Sequence, residues 1–252
     1  MWTRAELKKN AKEKLRRYYG KLVIAAIVLT IATFGGKSGG GSGGREDQNQ
    51  TETVMTLEQP QDILNLIEQN QVGTLLGIIA ISLVIGEVIS IFILHPLEIG
   101  ARKNFLIATK QEPEMYELAS GFAFNYKNVI KTMFFRDLKL VLWSILLIVP
   151  GIVKGYEYRM VPYLLAENPS LDGKEAFALS KKMMDGEKMN SFLLDLSFIG
   201  WFLLSVMTLF IAAVFWVNPY YDMTCTELFI TLKEKHGEQL QFVPLLHHAT
   251  EE

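Results

Sequence analysis

Apolar and polar positions alternate along this chain in blocks rather than residue by residue. The first block is amphipathic. Trp2, Leu7, Ala11, Leu15 and Tyr18 recur at helical spacing, with Arg4, Lys8, Lys9, Lys12, Lys14, Arg16 and Arg17 between them. Residues 1–21 therefore predict a basic amphipathic helix on the cytoplasmic side, held there by its charge. Residues 22–34 are apolar and read as a first membrane span, lengthened by Tyr18, Tyr19 and Gly20 toward the ~20 residues a bilayer demands. A cleaved signal peptide fits poorly, since the basic region is long and no clear small-residue cleavage site follows. Residues 35–72 form an extracytoplasmic loop, first Gly/Ser-rich and then acidic, with a short helix expected from Leu57 to Gln69. Residues 73–97 are the clearest span, interrupted only by Glu87. From 98 to 136, Arg102, Lys103, Lys110, Lys127, Lys131 and Arg136 mix with aromatic residues, as in a cytoplasmic interfacial segment resting on lipid headgroups.

The second half allows two readings. Residues 137–166 are apolar but broken at Pro150-Gly151, and residues 191–232 are apolar with a weaker break near Thr208 to Ala212. Each is one long span in a four-span arrangement, or a hairpin in a six-span arrangement. Charge separates the two. Six spans place the N-terminus, 98–136, the basic loop 167–190 and the polar tail 233–252 inside, together with about 20 of the 25 Lys and Arg. The outer loop then keeps Lys37 and Arg45 and carries Glu46, Asp47, Glu52, Glu58, Asp62 and Glu68. Cytoplasmic loops collect positive charge, so six spans are preferred. Their cost is that 137–149 and 152–165 are short for a crossing. The expected fold is an all-α, polytopic membrane helix bundle: about six spans as three helical hairpins, or alternatively four spans, plus interfacial amphipathic helices.

His95-Pro96-Leu97, Val161-Pro162-Tyr163 and Asn218-Pro219-Tyr220 each put a proline near the cytoplasmic end of a descending helix. Three related hairpins would explain them, as would the general frequency of proline near membrane-helix ends.

Three pieces in the second half carry a likeness: the Pro150-Gly151 break, the Ser-Lys-Lys-x-Met-x-Gly element from Ser180 to Gly186, and Leu-Asp-Leu-Ser-Phe-Ile-Gly-Trp from Leu194 to Trp201. With them the chain resembles domain-of-unknown-function family 975, a group of uncharacterised bacterial multi-pass membrane proteins. The N-terminal basic helix fits as well; the Gly/Ser loop looks like a local insertion. In the last hairpin, where the family pattern suggests a glycine-rich turn, this chain has Thr208-Leu-Phe-Ile-Ala212. The resemblance implies a bacterial inner- or plasma-membrane location and no assigned activity. A looser likeness to membrane domains attached to glycerophosphodiester phosphodiesterases points to lipid-related work by analogy only.

Charges inside the spans are the candidate chemistry, because a charge at mid-bilayer costs roughly 2.5–3.5 kcal/mol on insertion scales. Glu87, Lys154, Glu157, Arg159, Asp195 and Asp222 are the expected intramembrane polar network. It serves either to fix helix packing or to line a cavity for an ion, a proton or a lipid headgroup. His95 is expected at the interface rather than in a proton relay. Cys225 is the only cysteine, which excludes an intrachain disulfide and a cysteine zinc cluster. No His-Glu-x-x-His or phosphate-binding loop is present, the Gly-x-Ser-x-Gly matches within residues 36–44 belong to a Gly/Ser linker composition, and His236, His247 and His248 lack metal-site spacing. No catalytic residue, metal or cofactor is expected, and an enzyme is less favoured than a non-catalytic scaffold or envelope accessory protein. A small transporter or lipid-handling carrier is the alternative; a membrane-embedded lipid enzyme comes third. The expected partners are the bilayer, anionic headgroups, and a second copy or other membrane proteins. The basic patches suit headgroups better than nucleic acid.

Overall fold

The computed structural model describes residues 2–34, 71–123 and 125–240. The expected 57–69 helix, the Gly/Ser-rich acidic stretch to residue 70 and the tail from 241 lie outside the described residues. Within them every element is helical. The chain forms α1 (Arg4–Arg17), α2 (Tyr19–Phe34), α3 (Gln71–Ile89), α4 (His95–Ala108), α5 (Tyr126–Leu146) and α6 (Ile148–Glu157). It continues through α7 (Val161–Glu167), α8 (Gly173–Met183), α9 (Lys188–Leu196), α10 (Ile199–Met207) and α11 (Asn218–Leu240). A 3-10 segment, Met115–Phe122, packs on α4.

Thr3 caps α1 by accepting from the Glu6 amide, and Lys14, Arg16 and Arg17 oppose the helix dipole in its last turn. Leu7, Ala11 and Leu15 are buried, and α1 lies along α11. The apolar face expected to rest on headgroups is covered by protein instead. The same holds for the start of the segment 98–136: Glu98, Ile99, Ala101, Asn104 and Phe105 of α4 are buried between α2, α7 and the 3-10 segment.

The three prolines mark equivalent positions. Pro96 and Pro162 sit in the first turns of α4 and α7, and Pro219 is the second residue of α11. Before the first and third, the helix widens into a π turn, Ser90–Leu94 and Ala213–Val217. Each is closed by an amide five residues on, His95 to the Ser90 carbonyl and Asn218 to the Ala213 carbonyl. Proline has no N–H to give the preceding turn, and one wider turn absorbs the gap. Before Pro162 the turn is tighter, with the Val161 amide donating to the Tyr158 carbonyl. The backbone thus repeats closely in the first and third positions and loosely in the second. The three helices that follow meet at the centre: α4 packs on α7 and on α11, and the Tyr163 and Phe229 rings stack at 5.3 Å.

Both hairpins of the second half form. The first turns at Leu147, an extended residue (φ −157°, ψ 139°) three positions before Pro150. Gly151 allows the return, since a Cβ there would stand 2.7 Å from Ser144 Oγ and 2.9 Å from Ser144 Cα. The second turns at Leu209 and Phe210 (φ 49° and 64°), inside the expected Thr208–Ala212 window. Two non-glycine residues in left-handed backbone replace the glycine turn.

Among the described residues two continuous helical stretches are long and apolar enough to cross a membrane, Ile79–Ala108 and Lys188–Met207; Tyr19–Thr33 is apolar but shorter. α6 has only 10 residues. The apolar ends of the hairpins are exposed: Ile145 is 78% accessible, Ile148 76%, Met207 83% and Leu209 82%.

Candidate functional site

Beneath those apolar ends the charges gather into a belt of three clusters. In the first, the Asp195 carboxylate on α9 accepts both terminal nitrogens of Arg159, at 2.9 Å each. Tyr156 donates to it at 2.8 Å and Tyr221 at 3.0 Å. The guanidinium also reaches Cys225 Sγ at 3.1 Å. Such a fork of parallel N–H bonds fixes both groups in orientation, and the tyrosines occupy further acceptor sites on the carboxylate. This cluster ties the α6–α7 turn to α9 and α11.

The second cluster is smaller. Glu157 accepts Lys154 at 2.9 Å and Lys188 at 3.3 Å, joining α6 to the start of α9. Lys154 and Glu157 share one helix face, as their spacing of three requires.

The third cluster lies on α4 and α5. Glu98, buried, accepts Arg102 at 2.9 Å from its own helix and Arg136 at 3.3 Å from α5. Arg136 also donates to Asp137 at 2.8 Å, and Asp137 meets His95 Nε2 at 3.0 Å. Nδ1 of His95 is buried with no hydrogen-bond partner among the described residues. The Arg102 guanidinium lies 4.6 Å from the centre of the Tyr163 ring, a cation–π contact between α4 and α7. Asp222 on α11 is half-buried in the same neighbourhood, attracted by Arg102 and repelled by Glu98.

Of the six residues expected to form one network, Lys154 and Glu157 pair directly, as do Arg159 and Asp195. Asp222 belongs with Glu98 and Arg102 instead. Glu87 is exposed on α3 and makes no ion pair among the described residues. The sequence reading assigned Arg102 and Arg136 to lipid headgroups; the structure pairs both with buried Glu98. Glu98 and Arg102 stand four apart on a helix, the one signal that pointed to their pairing. The pairing of Arg136 with Glu98 and of Asp137 with His95 carried no such signal, because Glu98 and His95 lie on a different helix.

A further carboxylate fastens the base of the molecule. Glu187, buried, accepts Trp2 Nε1 at 3.1 Å, Asn190 Nδ2 at 2.9 Å and Lys235 Nζ at 2.5 Å. Burial alone would raise its pKa. The bonds from Asn190, Lys235 and Trp2 outweigh that and hold it below the usual glutamate value. It joins the chain before α1, the start of α9 and the end of α11.

These features define a class: an all-helical protein of proline-marked helical hairpins, apolar at their exposed ends and bound by buried ion pairs at their bases. Residues 138–235 match the model of the family described as "Protein of unknown function (DUF975)". That is the family the sequence resembled, and the match covers both second-half hairpins and the first two charge clusters. No curated protein and no solved structure matches the chain.

Proposed function

We propose that this protein is a multi-pass membrane protein whose apolar hairpins enter lipid and whose charge belt lies at the cytoplasmic surface, acting as a non-catalytic scaffold or envelope accessory protein. One observation carries the reading. Apolar side chains stay exposed around both hairpin turns, including Val141, Leu142 and Ile145 to Val149 in one and Leu203, Val206, Met207 and Leu209 to Ile211 in the other. A surface of that extent in water would seek another apolar phase. From Leu138 to the Leu147 turn the helix rises only roughly 14 Å, about half the ~30 Å hydrocarbon core. The α5–α6 hairpin therefore dips into the bilayer and returns to the side it left, keeping its flanking basic segments inside. The dip satisfies the charge rule without a short full crossing.

The scaffold reading is favoured over a carrier by the way the Arg159–Asp195 cluster is satisfied within the protein. A carrier using protons is supported by a different observation, the unpartnered Nδ1 of His95 beside Asp137 and Glu98.

Membrane fractions washed in alkaline carbonate test the first reading. The protein stays with the bilayer if the hairpins are inserted; release into the wash would sink the proposal. Single cysteines at Lys181 and Gln48, in a chain whose Cys225 is replaced by Ala, test the topology. Position 181 should label only from inside and position 48 only from outside.

A further inference from the structure

A cavity of about 410 Å³ opens between α5 and the start of α8, next to the Lys154–Glu157 cluster, since Lys139 and Lys154 both approach the Tyr158 ring. Asn128, Lys131, Thr132, Phe135 and Lys139 line it from α5; Asp172, Gly173, Lys174 and Phe177 face them. The site is built rather than accidental. Asn128 donates to the Pro169 and Leu171 carbonyls at 2.9 and 2.7 Å and so fixes the loop that leads into α8. Gly173 comes so close to α5 that a Cβ there would sit 2.8 Å from Thr132 Oγ1.

Three lysines line this space, and no carboxylate pairs with Lys131, Lys139 or Lys174 among the described residues. Lys139 Nζ instead lies 3.6 Å from the centre of the Phe177 ring. The first turn of α8 adds the positive end of its dipole. Asp172 is the one carboxylate in the lining and caps α8 by accepting the Lys174 amide at 3.0 Å, while Glu175 adds a second negative charge in the same first turn. The decisive atom is Thr132 Oγ1. Thr132 is 2% exposed and its hydroxyl has no hydrogen-bond partner among the described residues. A buried hydroxyl left open costs stability, so its retention beside three unpaired cations points to an acceptor that comes from outside the chain.

We propose that this cavity binds a phosphate group, with Lys131, Lys139 and Lys174 neutralising its charge and Thr132 donating to one of its oxygens. Phosphate supplies several acceptors to a cluster of donors and suits a helix N-terminus. The group arrives either as free phosphate or as the headgroup of an anionic phospholipid. The lipid source rests on the membrane reading above. α5 runs from the cavity straight into the exposed apolar run Val141–Val149, which places a headgroup and its acyl chains side by side.

The full-length protein in neutral detergent is titrated with inorganic phosphate at constant ionic strength, following its thermal unfolding. It is then placed in nanodiscs of phosphatidylcholine with and without phosphatidylglycerol. Phosphate should raise the unfolding temperature of the native chain. Lys131→Ala and Lys174→Ala, both exposed positions, should each weaken apparent affinity by about tenfold, as loss of a charge-assisted bond does. Thr132→Val separates binding from folding: it keeps the shape and removes the open hydroxyl. It should leave the ligand-free protein as stable as before or more so, and still lose about tenfold in phosphate affinity. Equal phosphate stabilisation of the native, Lys174→Ala and Thr132→Val chains overturns the proposal, whatever the carbonate wash shows. Stabilisation by phosphatidylglycerol that these variants lose identifies the headgroup as the source. Response to phosphate with none to phosphatidylglycerol supports the cavity and assigns it to free phosphate.

Discussion

The hairpin ends and the belt beneath them are made of the same helices, yet they solve opposite problems. Around Leu147 and Leu209 apolar side chains are exposed and few charges occur; around Glu98, Glu157 and Asp195 charges are buried and matched. In a soluble protein the arrangement would be reversed, since apolar burial is the main source of folding energy. On the proposed membrane reading, cohesion at the ends is left to the surrounding apolar phase, while the belt relies on ion pairs, aromatic contacts and the packed helices α4, α7 and α11. Ion pairs of this kind are costly to desolvate and costly to break singly, so they set arrangement more than they add stability.

The contrast yields predictions of graded size. Glu98→Ala should be the most damaging change, because it strands Arg102 and Arg136 together. A loss of about 3–5 kcal/mol is expected in detergent unfolding, as for removal of one partner from a buried pair. A near-neutral result would mean that the belt is open to water. At the other region, Ile145→Asp places a charge where the side chain is 78% accessible. Against water it would cost almost nothing; against lipid it should cost roughly 2.5–3.5 kcal/mol and lower the amount of membrane-integrated protein. Normal insertion of this variant would break the comparison outright.

The turn at the second hairpin end offers a gain rather than a loss. Leu209→Gly relieves a left-handed residue at φ 49° and should raise stability by up to about 1 kcal/mol, read as a higher unfolding temperature. The smallest effect concerns pH. Glu187 holds its proton less tightly folded than unfolded, so the stability it contributes is present above the ordinary value of 4.5 and is lost as pH falls through its lowered folded value. Protection factors of the α1 amides, with the intrinsic slowing of exchange at low pH divided out, should therefore fall on acidification, and Lys235→Ala should flatten that dependence.

The proline signals, a break in the 137–166 block and the Thr208–Ala212 turn were legible in the chain because each depends on local backbone chemistry, although the break was expected at Pro150-Gly151 and the chain turns three residues earlier, at Leu147. Proline removes a donor, and apolar blocks declare their length. The amphipathic face of α1 was legible too, but its partner was not: Leu7, Ala11 and Leu15 suit a lipid surface and a protein groove equally well. The expected polar network shows the same limit. Lys154 and Glu157 share a helix and could be paired by counting; Arg159 and Asp195 are 36 residues apart, and only the return of the chain brings them together. Glu87, conspicuous in an apolar run, joins no cluster among the described residues.

By itself, the sequence determined an all-helical chain with proline-marked hairpins, a basic first helix and a likeness to family 975, because periodicity, proline and charge act through neighbours. Tertiary structure alone decided which charges are partners, that α1 is covered by α11, and that Lys174 of α8 comes to the same cavity as Lys131, Thr132 and Lys139 of α5. Those facts depend on helices meeting far apart in sequence, and no local pattern encodes the distance between two side chains on different helices.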